Sequence, residues 1–195
     1  MGGPMPADLI LGSASPRRLA LLAQIGVVPA RVVAPDVDET PLKAERPRDY
    51  VPRVAMAKAA AVARADGQVV LAADTTIAVG ARILGKPADA ADLVRMLRLL
   101  SGRRHHCLSA VVVIDGAGTM RTRLSDTTVA FKPLTDAEIA GYVASGEGMG
   151  KAGGYAIQGS AEAFVRRIDG SYSGVVGLPL FETRALLVTA GVVLG

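Results

Sequence analysis

The sequence predicts an α/β fold, with a mixed, twisted sheet flanked by helices. In the first half of the chain, short apolar runs alternate with helix-like segments, which is typical of parallel strands joined by helices. In the middle, strand-like segments at residues 107–114 and 120–131 are separated by a turn at 115–118, which indicates an antiparallel pair. A sheet that contains both kinds of pairing is mixed.

The first half of the chain supplies three of the predicted strands, at residues 9–11, 31–34 and 69–73. Its first helix begins at Pro16, with Ser15 as the N-cap, and stops at Gly26. A second, alanine-rich helix is predicted over residues 47–65. The order strand, helix, strand, helix, strand favours crossover connections between parallel strands.

A hairpin and a third helix follow. Residues 76–84 resemble two short strands that turn at Gly80. The helix over residues 89–100 has Asp89 as its N-cap and Gly102 as its stop signal. This part of the chain links the parallel strands to the antiparallel pair.

The last third contains the clearest helix start. Residues 135–138 form a capping box that opens a helix ending at Gly146. A glycine-rich loop over residues 146–159 comes next, then a strand over residues 163–168. A final helix, starting near residue 178, closes the chain.

Length and composition indicate one globular domain that spans residues 1–195. Half of the residues are hydrophobic and 21% are charged, which excludes a disordered chain. The net charge of +4 suits an anionic partner, but leaves nucleotide, nucleic acid and simple solubility open. Lysine and arginine are dispersed without interleaved aromatic residues, which argues against a nucleic-acid platform.

The expected location is the cytoplasm. Cys107 is the only cysteine, so the chain cannot form an internal disulfide, and a reducing compartment suits it. Residues 1–7 lack the basic and apolar regions of a signal peptide. Apolar runs such as residues 110–114 are too short to cross a bilayer, so no membrane association is expected.

The first candidate site is the segment at residues 13–18, where a strand leads through a short loop into a helix. Free backbone N–H groups and the helix dipole favour an anion there. Ser13, Arg17 and Arg18 add a hydroxyl and two guanidinium groups that match phosphate oxygens. An ordinary capped helix with solvated arginines explains the same pattern equally well. The segment is not a P-loop, because it lacks the glycine spacing and the Lys-Ser/Thr pair.

Two further candidates lie on the second helix and the third strand. Val51, Val54, Lys58 and Val62 share one helix face, so Lys58 either extends to the edge of an apolar stripe or points into a polar pocket. Asp74 is predicted to end the buried strand that precedes it, with Thr75 next. A carboxylate at the carboxyl end of a strand holds a metal or acts as a general base, or else merely opens a turn.

Three weaker candidates are loop residues. Lys86 follows the predicted hairpin, and most loop lysines are simply solvated. The acidic cluster Asp36, Asp38 and Glu39 offers oxygen ligands for Mg²⁺, although loop acids are usually solvated too. In the late glycine-rich loop, Gln158 offers both a donor and an acceptor for a base edge.

The two histidines and the cysteine are predicted to be structural. His105 and His106 are adjacent, so on a strand their side chains point to opposite faces and cannot chelate one metal. With Cys107 they form neither a zinc spacing nor a Ser-His-Asp arrangement.

Taken together and in this order, these motifs resemble the Maf family of nucleotide pyrophosphatases, which is related in fold to the inosine triphosphatases. The resemblance runs from about residue 9 to residue 187. The matching stretches are residues 13–18, 36–39, 57–59, 73–75, 85–87, 96–102, 151–153, 157–159 and 176–180.

The resemblance implies two lobes around a cleft and metal-dependent hydrolysis between the α and β phosphates of a nucleoside triphosphate. Asp74 matches the family's catalytic proton acceptor, and Asp74 with Glu39 would hold the divalent cation, Mg²⁺ or Mn²⁺. The positions that match polyphosphate contacts are Ser13, Arg17, Arg18, Lys58 and Lys86. Those that match base selection are Arg17, Thr75 and Gln158.

The late loop is similar to the branch of the family that acts on dTTP and UTP, and differs from the branch that prefers 7-methyl-GTP. Two positions depart from the family pattern: Gly150 stands where Asp is common, and Gly174 where Asn is common. A pyrophosphatase for modified nucleotides is therefore an alternative. So is a nucleotide-binding regulator of cell division without turnover. A homodimer is expected from the resemblance alone.

Overall fold

The computed structural model describes residues 8–193. Seven strands form one mixed sheet in the order β2-β1-β3-β5-β6-β7, with β4 paired to β3. The strands are β1 (Leu9–Gly12), β2 (Arg31–Val33), β3 (Val69–Val79), β4 (Arg82–Leu84), β5 (Arg104–Ile114), β6 (Met120–Phe131) and β7 (Val165–Asp169). The α-helices are α1 (Pro16–Gln24), α2 (Pro47–Ala60), α3 (Ala90–Leu100), α4 (Asp136–Ser145), α5 (Tyr172–Val176) and α6 (Leu180–Thr189). The predicted mixed α/β fold is confirmed.

The sheet changes from parallel to antiparallel pairing at β3. Strand β1 runs parallel to both β2 and β3, and its last residue, Gly12, pairs with Ala72. Strand β3 continues beyond that point and pairs antiparallel with β5, with Asp74 opposite Ala110. Asp74 therefore lies just past the carboxyl end of β1, where ligands collect in open α/β sheets.

Alternation along β3 sends neighbouring side chains to opposite faces of the sheet. Val70 and Ala72 pack with the buried face of α2. Leu71 and Ala73 pack in a larger apolar cluster with residues from α1, α3, α4 and α6. Asp74 follows Ala72 in this alternation, so its carboxylate is on the α2 side of the sheet. Within residues 8–193 the longest helix is α2, with 14 residues, and no helix could cross a membrane.

Several predicted helix ends are confirmed, because the residues predicted to cap them do so in the structure. Asp89 caps α3 by accepting a hydrogen bond from the Asp92 N–H. The capping box of Thr135 and Glu138 opens α4, and Gly146 ends that helix in the left-handed conformation. These signals are local to a few residues, which is why the sequence alone reveals them.

Three predictions about the elements around the site are wrong. Strand β3 does not end at Asp74 but runs to Val79, because its pairing with β5 continues on both sides of that residue. Helix α2 ends at Ala60, not at residue 65, because the chain turns there and buries Val62. Ser15 occupies the N-cap position of α1, yet its side chain makes no cap.

A fourth difference is the short helix α5, which was not predicted. Its Ser171 side chain accepts a hydrogen bond from the N–H of Gly174, which caps the first turn. Five residues are too few to show a helical hydrophobic period. Gly174, the second departure from the family pattern, is buried within α5.

His105 and His106 face opposite sides of β5, as predicted: His105 is buried and the His106 side chain is 51% exposed. The His105 ring packs edge-on against Phe131 and Tyr155, and its Nε2 is 2.8 Å from the Tyr155 hydroxyl. Burial lowers the pKa of His105 to about 4 from an ordinary 6.5. The neutral ring is therefore part of the folded core.

This burial predicts a loss of stability in acid. The unfolded chain takes up a proton at His105 near pH 6.5, whereas the folded chain does so only near pH 4. The free energy of unfolding should fall across that window by about 3 kcal/mol on account of this group. Urea unfolding of His105→Gln from pH 7 to pH 4 should show a shallower decline than the unaltered chain. An equally steep decline would contradict the prediction, and His106→Gln is the matched control at an exposed ring.

Candidate active site

One cavity of about 710 Å³ opens beside the carboxyl end of β1. All nine residues predicted for the site line it: Ser13, Arg17, Arg18, Glu39, Lys58, Asp74, Thr75, Lys86 and Gln158. Of the predicted acidic cluster, Asp36 and Asp38 are not among the lining residues. The Asp38 carboxylate instead accepts a hydrogen bond from the Thr40 N–H.

The centre of the cavity is an ammonium group between two carboxylates. Lys58 Nζ lies 2.7 Å from Asp74 Oδ1 and 2.9 Å from Glu39 Oε1. The side chains of Lys58 and Asp74 are only 11% and 8% exposed, whereas that of Glu39 is 44% exposed. Lys58 therefore does not extend to the edge of its apolar stripe but points into a polar pocket. The 14-residue helix α2 carries it there on the face that packs against β3.

Asp74 is a buried carboxyl group poised to take a proton. Burial raises its pKa above the ordinary value, and the positive charges of Lys58 and Arg18 oppose that rise. Its Oδ2 atom has no hydrogen-bond partner among residues 8–193. A carboxylate with a raised pKa and one free oxygen is suited to act as a general base.

Two arginines from the first turn of α1, Arg17 and Arg18, also line the cavity. Arg18 Nη1 donates to Ser13 Oγ at 2.9 Å, and Ser13 Oγ also accepts from the Ser15 N–H at 3.2 Å. Both guanidinium groups have lowered pKa values because they are partly buried, with Asp74 opposing the effect at Arg18. Ser13 thus fixes the loop before α1 and one edge of Arg18.

Thr75 belongs to a chain of hydroxyl groups on the other face of β3. Its Oγ1 is 2.7 Å from the Ser109 Oγ, and Ser109 donates to the carbonyl of Gly174 at 2.6 Å. Because the Ser109 hydroxyl gives its proton to Gly174, Thr75 donates to Ser109, and the Thr75 Oγ1 also lies 3.4 Å from the Gly177 carbonyl oxygen. The chain joins β3, β5 and α5, so the position of Thr75 is set from three elements.

Lys86 and Gln158 come from exposed loops at the mouth of the cavity. Neither side chain has a hydrogen-bond or ion-pair partner in the part of the chain that the structure describes. The two loops are joined because the Gly153 N–H donates to the Gly85 carbonyl at 2.9 Å. The Lys86 ammonium and the Gln158 amide, which have no protein partners within residues 8–193, therefore lie at the same mouth of the cavity and are available to a ligand.

Tyr50 and Lys151 also line the cavity; Lys151 belongs to the predicted late loop but was given no role of its own, and Tyr50 was not predicted. The Tyr50 hydroxyl donates to the Glu39 carbonyl at 3.0 Å, and burial raises the pKa of Tyr50 to about 12, with Asp74 and Glu39 adding to the rise. Tyr50 therefore fixes the backbone of the loop that carries Glu39. The spacing Tyr50, Val54, Lys58 puts this tyrosine on the same helix face as the lysine, and that signal was available in the sequence.

The donor set is suited to a divalent cation that a substrate helps to bind. Asp74 and Glu39 place oxygens on either side of one ammonium group. Within residues 8–193 no group of three or more His, Cys, Asp or Glu side chains is arranged to hold a metal. Mg²⁺ commonly takes one or two carboxylates together with substrate phosphates and water, and two carboxylates fit that pattern.

Comparison with known proteins gives the family. The profile described as Maf-like protein matches residues 8–190. A relative from Sphingopyxis alaskensis, named dTTP/UTP pyrophosphatase, is 68% identical over 191 residues, which cover 98% of this chain and all of that protein. A relative from Novosphingobium aromaticivorans with the same name is 60% identical over 185 residues, with 94% and 92% of the two chains covered.

Among solved structures, a nucleoside-triphosphatase / dITP/XTP pyrophosphatase from Mycobacterium abscessus matches 93% of each chain. Its TM-score of 0.43 and 16% identity make it too distant to inform the site. The profile match and the high identity of the two relatives extend over nearly the whole chain. This protein therefore belongs to the Maf family.

Proposed function

We propose that this chain hydrolyses nucleoside triphosphates, with dTTP and UTP as its favoured substrates, to a nucleoside monophosphate and pyrophosphate. One observation carries the proposal: a buried carboxylate, Asp74, lies in a cavity that five lysine and arginine residues also line. Four of them are the predicted phosphate contacts Arg17, Arg18, Lys58 and Lys86, and the fifth is Lys151. A triphosphate carries about four negative charges at neutral pH, so the cations are proportionate to it.

In the proposed reaction, water attacks the α-phosphorus and the bond from that phosphorus to the α–β bridging oxygen breaks. Asp74 takes the proton from the attacking water, and pyrophosphate leaves with the bridging oxygen. Arg17, Arg18, Lys58 and Lys86 bind the phosphate oxygens and offset the charge that moves onto the leaving group. Positioning and charge neutralisation supply most of the rate in such phosphoryl transfers.

Asp74 and Glu39 are the residues proposed to hold Mg²⁺ or Mn²⁺. A divalent cation would polarise a phosphate oxygen and neutralise charge. With the cation bound, Lys58 would share its two carboxylate partners with it.

Glu39 is the better residue for a test of the cation site, because it is half-exposed and its loss does not remove the proposed base. Glu39→Gln should raise the Mg²⁺ concentration needed for half-maximal turnover about tenfold, and an unchanged requirement would exclude it as a ligand.

Base selection is proposed to involve Arg17, Thr75 and Gln158. The late loop that carries Gln158 is joined to the Lys86 loop by a backbone hydrogen bond, so base and phosphate contacts would lie at the same mouth of the cavity. The relatives named dTTP/UTP pyrophosphatase support uracil and thymine as the preferred bases. Turnover of dTTP, UTP, CTP and 7-methyl-GTP with Mg²⁺ tests this, and a preference for CTP or 7-methyl-GTP would contradict it.

A second candidate function rests on Gly150. This residue lines the cavity with a φ of +70°, and a Cβ built there would meet nothing within 4 Å. The open space leaves room for a pyrimidine that carries an added group or is joined to the ribose differently, so 5-methyl-UTP and pseudouridine triphosphate belong in the same assay. A higher kcat/KM for either than for both UTP and dTTP would favour modified nucleotides as the true substrates.

Lys86 offers a test that leaves the fold intact. The side chain is exposed and without a protein partner in residues 8–193, so Lys86→Met should leave the Tm unchanged. Loss of a phosphate contact should raise the KM for dTTP about tenfold, the effect of one charge-assisted hydrogen bond. Lys43→Met, at an exposed lysine outside the cavity, is the matched control. Equal KM values for the two variants would remove Lys86 from the proposed phosphate site.

The remaining expectations also belong to this proposal: one catalytic domain over residues 1–195, a cytoplasmic location, no nucleic-acid partner and a homodimer. A nucleotide-binding regulator without turnover is the alternative from another class. Tight nucleotide binding without pyrophosphate release would favour the regulator. Sedimentation equilibrium measures the oligomeric state directly.

A further inference from the structure

The two arginines of the cavity are held by adjacent backbone carbonyls at the end of α5. Arg17 Nε donates to the Val176 carbonyl at 3.2 Å, and Arg18 Nε donates to the Gly177 carbonyl at 2.8 Å. These contacts join residues 159 positions apart in the sequence. Each arginine therefore donates through Nε, the guanidinium nitrogen that is bonded to the aliphatic part of the side chain.

This arrangement determines which arginine nitrogens remain for a ligand. Arg18 Nη1 donates to Ser13 Oγ, while Arg18 Nη2 and both Nη atoms of Arg17 have no protein partner among residues 8–193. Both side chains line the cavity. A guanidinium that is bonded at Nε cannot rotate freely about its long axis, so its remaining donors keep a fixed direction.

We propose that Val176 and Gly177 are a positioning element of the phosphate site, which holds Arg17 and Arg18 by Nε so that their terminal nitrogens meet the substrate phosphates. The inference rests on the proposed function, because it concerns the phosphates of that substrate. It adds a role for the end of α5, where no side chain touches the substrate in the proposed reaction.

Electrostatics explains why carbonyl groups suit this role. The two guanidinium groups are close enough that the charge of Arg17 helps to lower the pKa of Arg18, although burial is the larger cause. The carbonyl groups at the end of a helix carry partial negative charge. They offset the repulsion between the arginines without adding a carboxylate that would compete with phosphate for them.

The conformation of Gly177 explains why the chain has glycine there. Its φ is +137°, which side-chain-bearing residues rarely adopt. A Cβ would lie 3.9 Å from Arg18 Nε and 4.0 Å from Thr75 Oγ1, so space itself does not forbid alanine. Alanine would instead rotate the backbone toward a commoner conformation and so move the carbonyl that accepts from Arg18.

The first test compares two glycine substitutions, both at positions of positive φ. Gly177→Ala should weaken the binding of inorganic pyrophosphate, measured by calorimetry, by at least about tenfold, the loss of one hydrogen bond to a charged group. Gly67 also has positive φ, at +82°, has open space at its Cβ and lies outside the cavity. Gly67→Ala should keep the affinity for pyrophosphate. Similar affinities for the two variants would overturn the inference.

A double-mutant cycle tests whether Gly177 acts through Arg18. If it does, Gly177→Ala should cost little further affinity in an Arg18→Ala background. Additive losses would overturn the inference, because they would indicate a general effect of the glycine on the fold.

The Arg18→Lys variant gives another test of the inference, one that does not depend on substituting the glycine. Lysine keeps the positive charge but has no separate Nε donor for the Gly177 carbonyl. If the Gly177 carbonyl positions Arg18, the Arg18→Lys variant should bind pyrophosphate nearly as weakly as Arg18→Ala. Binding like that of the unaltered chain would overturn the inference. Pyrophosphate affinity does not depend on turnover, so the inference can fail while the proposed activity stands. Absence of pyrophosphate binding by the unaltered chain would overturn the inference together with the phosphate site.

Discussion

Replacing Asp74 by asparagine is expected to lower kcat for dTTP by about 10²- to 10⁴-fold, the usual contribution of a general base. Asparagine has nearly the same shape but cannot accept the proton of the attacking water. The fold should be kept, because Lys58 retains its contact with Glu39. The measurement is pyrophosphate release at saturating dTTP, with Tm recorded on the same samples.

The Asp74→Asn variant should lose activity but not stability. Burial raises the pKa of Asp74 in the folded state, so the carboxyl group favours folding while protonated, and that benefit is lost as the pH rises through the raised pKa. At pH 8 the neutral amide removes the cost of burying a charge, and Tm should be no lower than in the unaltered chain. Asp36→Asn, at an exposed acid outside the cavity, should retain full activity. Near-normal turnover by Asp74→Asn would refute the assignment of the base.

Replacing Lys58 by methionine is expected to lower kcat/KM by about 10²-fold or more, because the change removes both a phosphate contact and the counter-ion of the base. The ammonium of Lys58 lowers the pKa of Asp74. Without it, Asp74 holds its proton to higher pH. Since a general base works only when deprotonated, the acidic limb of the pH–rate profile should move toward alkaline pH, with partial recovery of rate there.

Lys132 supplies the matched control for Lys58. Its ammonium also pairs with a carboxylate, that of Glu138, but neither residue lines the cavity and both side chains are one-third exposed. Lys132→Met should leave both the rate and the midpoint of the acidic limb unchanged. If the midpoint for Lys58→Met equals that of the unaltered chain, the coupling between Lys58 and Asp74 does not control the reaction.

The elements that the sequence predicts best are those with local signals. The Asp89 cap, the capping box at Thr135 and the turn at Gly80 each depend on a few neighbouring residues. The end of β3 could not be predicted in this way, because Asp74 looks like a strand terminator. Only the pairing with β5, through Ala110, shows that the strand continues.

The composition of the site could be predicted, but its internal contacts could not. The order of the motifs and their resemblance to the Maf family indicated which residues share a cavity. The contact of Lys58 with two carboxylates depends on how α2 packs on β3. The contacts of Arg17 and Arg18 with Val176 and Gly177 depend on a short helix that has no periodic signal of its own.

The proposed reaction breaks the bond between the α-phosphorus and the α–β bridging oxygen of a nucleoside triphosphate. The most direct measurement is product analysis after dTTP is incubated with the chain and Mg²⁺ in ¹⁸O-labelled water. We expect equal amounts of dTMP and pyrophosphate, with the label in the phosphate of dTMP. Release of orthophosphate, label in pyrophosphate, or no turnover with dTTP and UTP would contradict it.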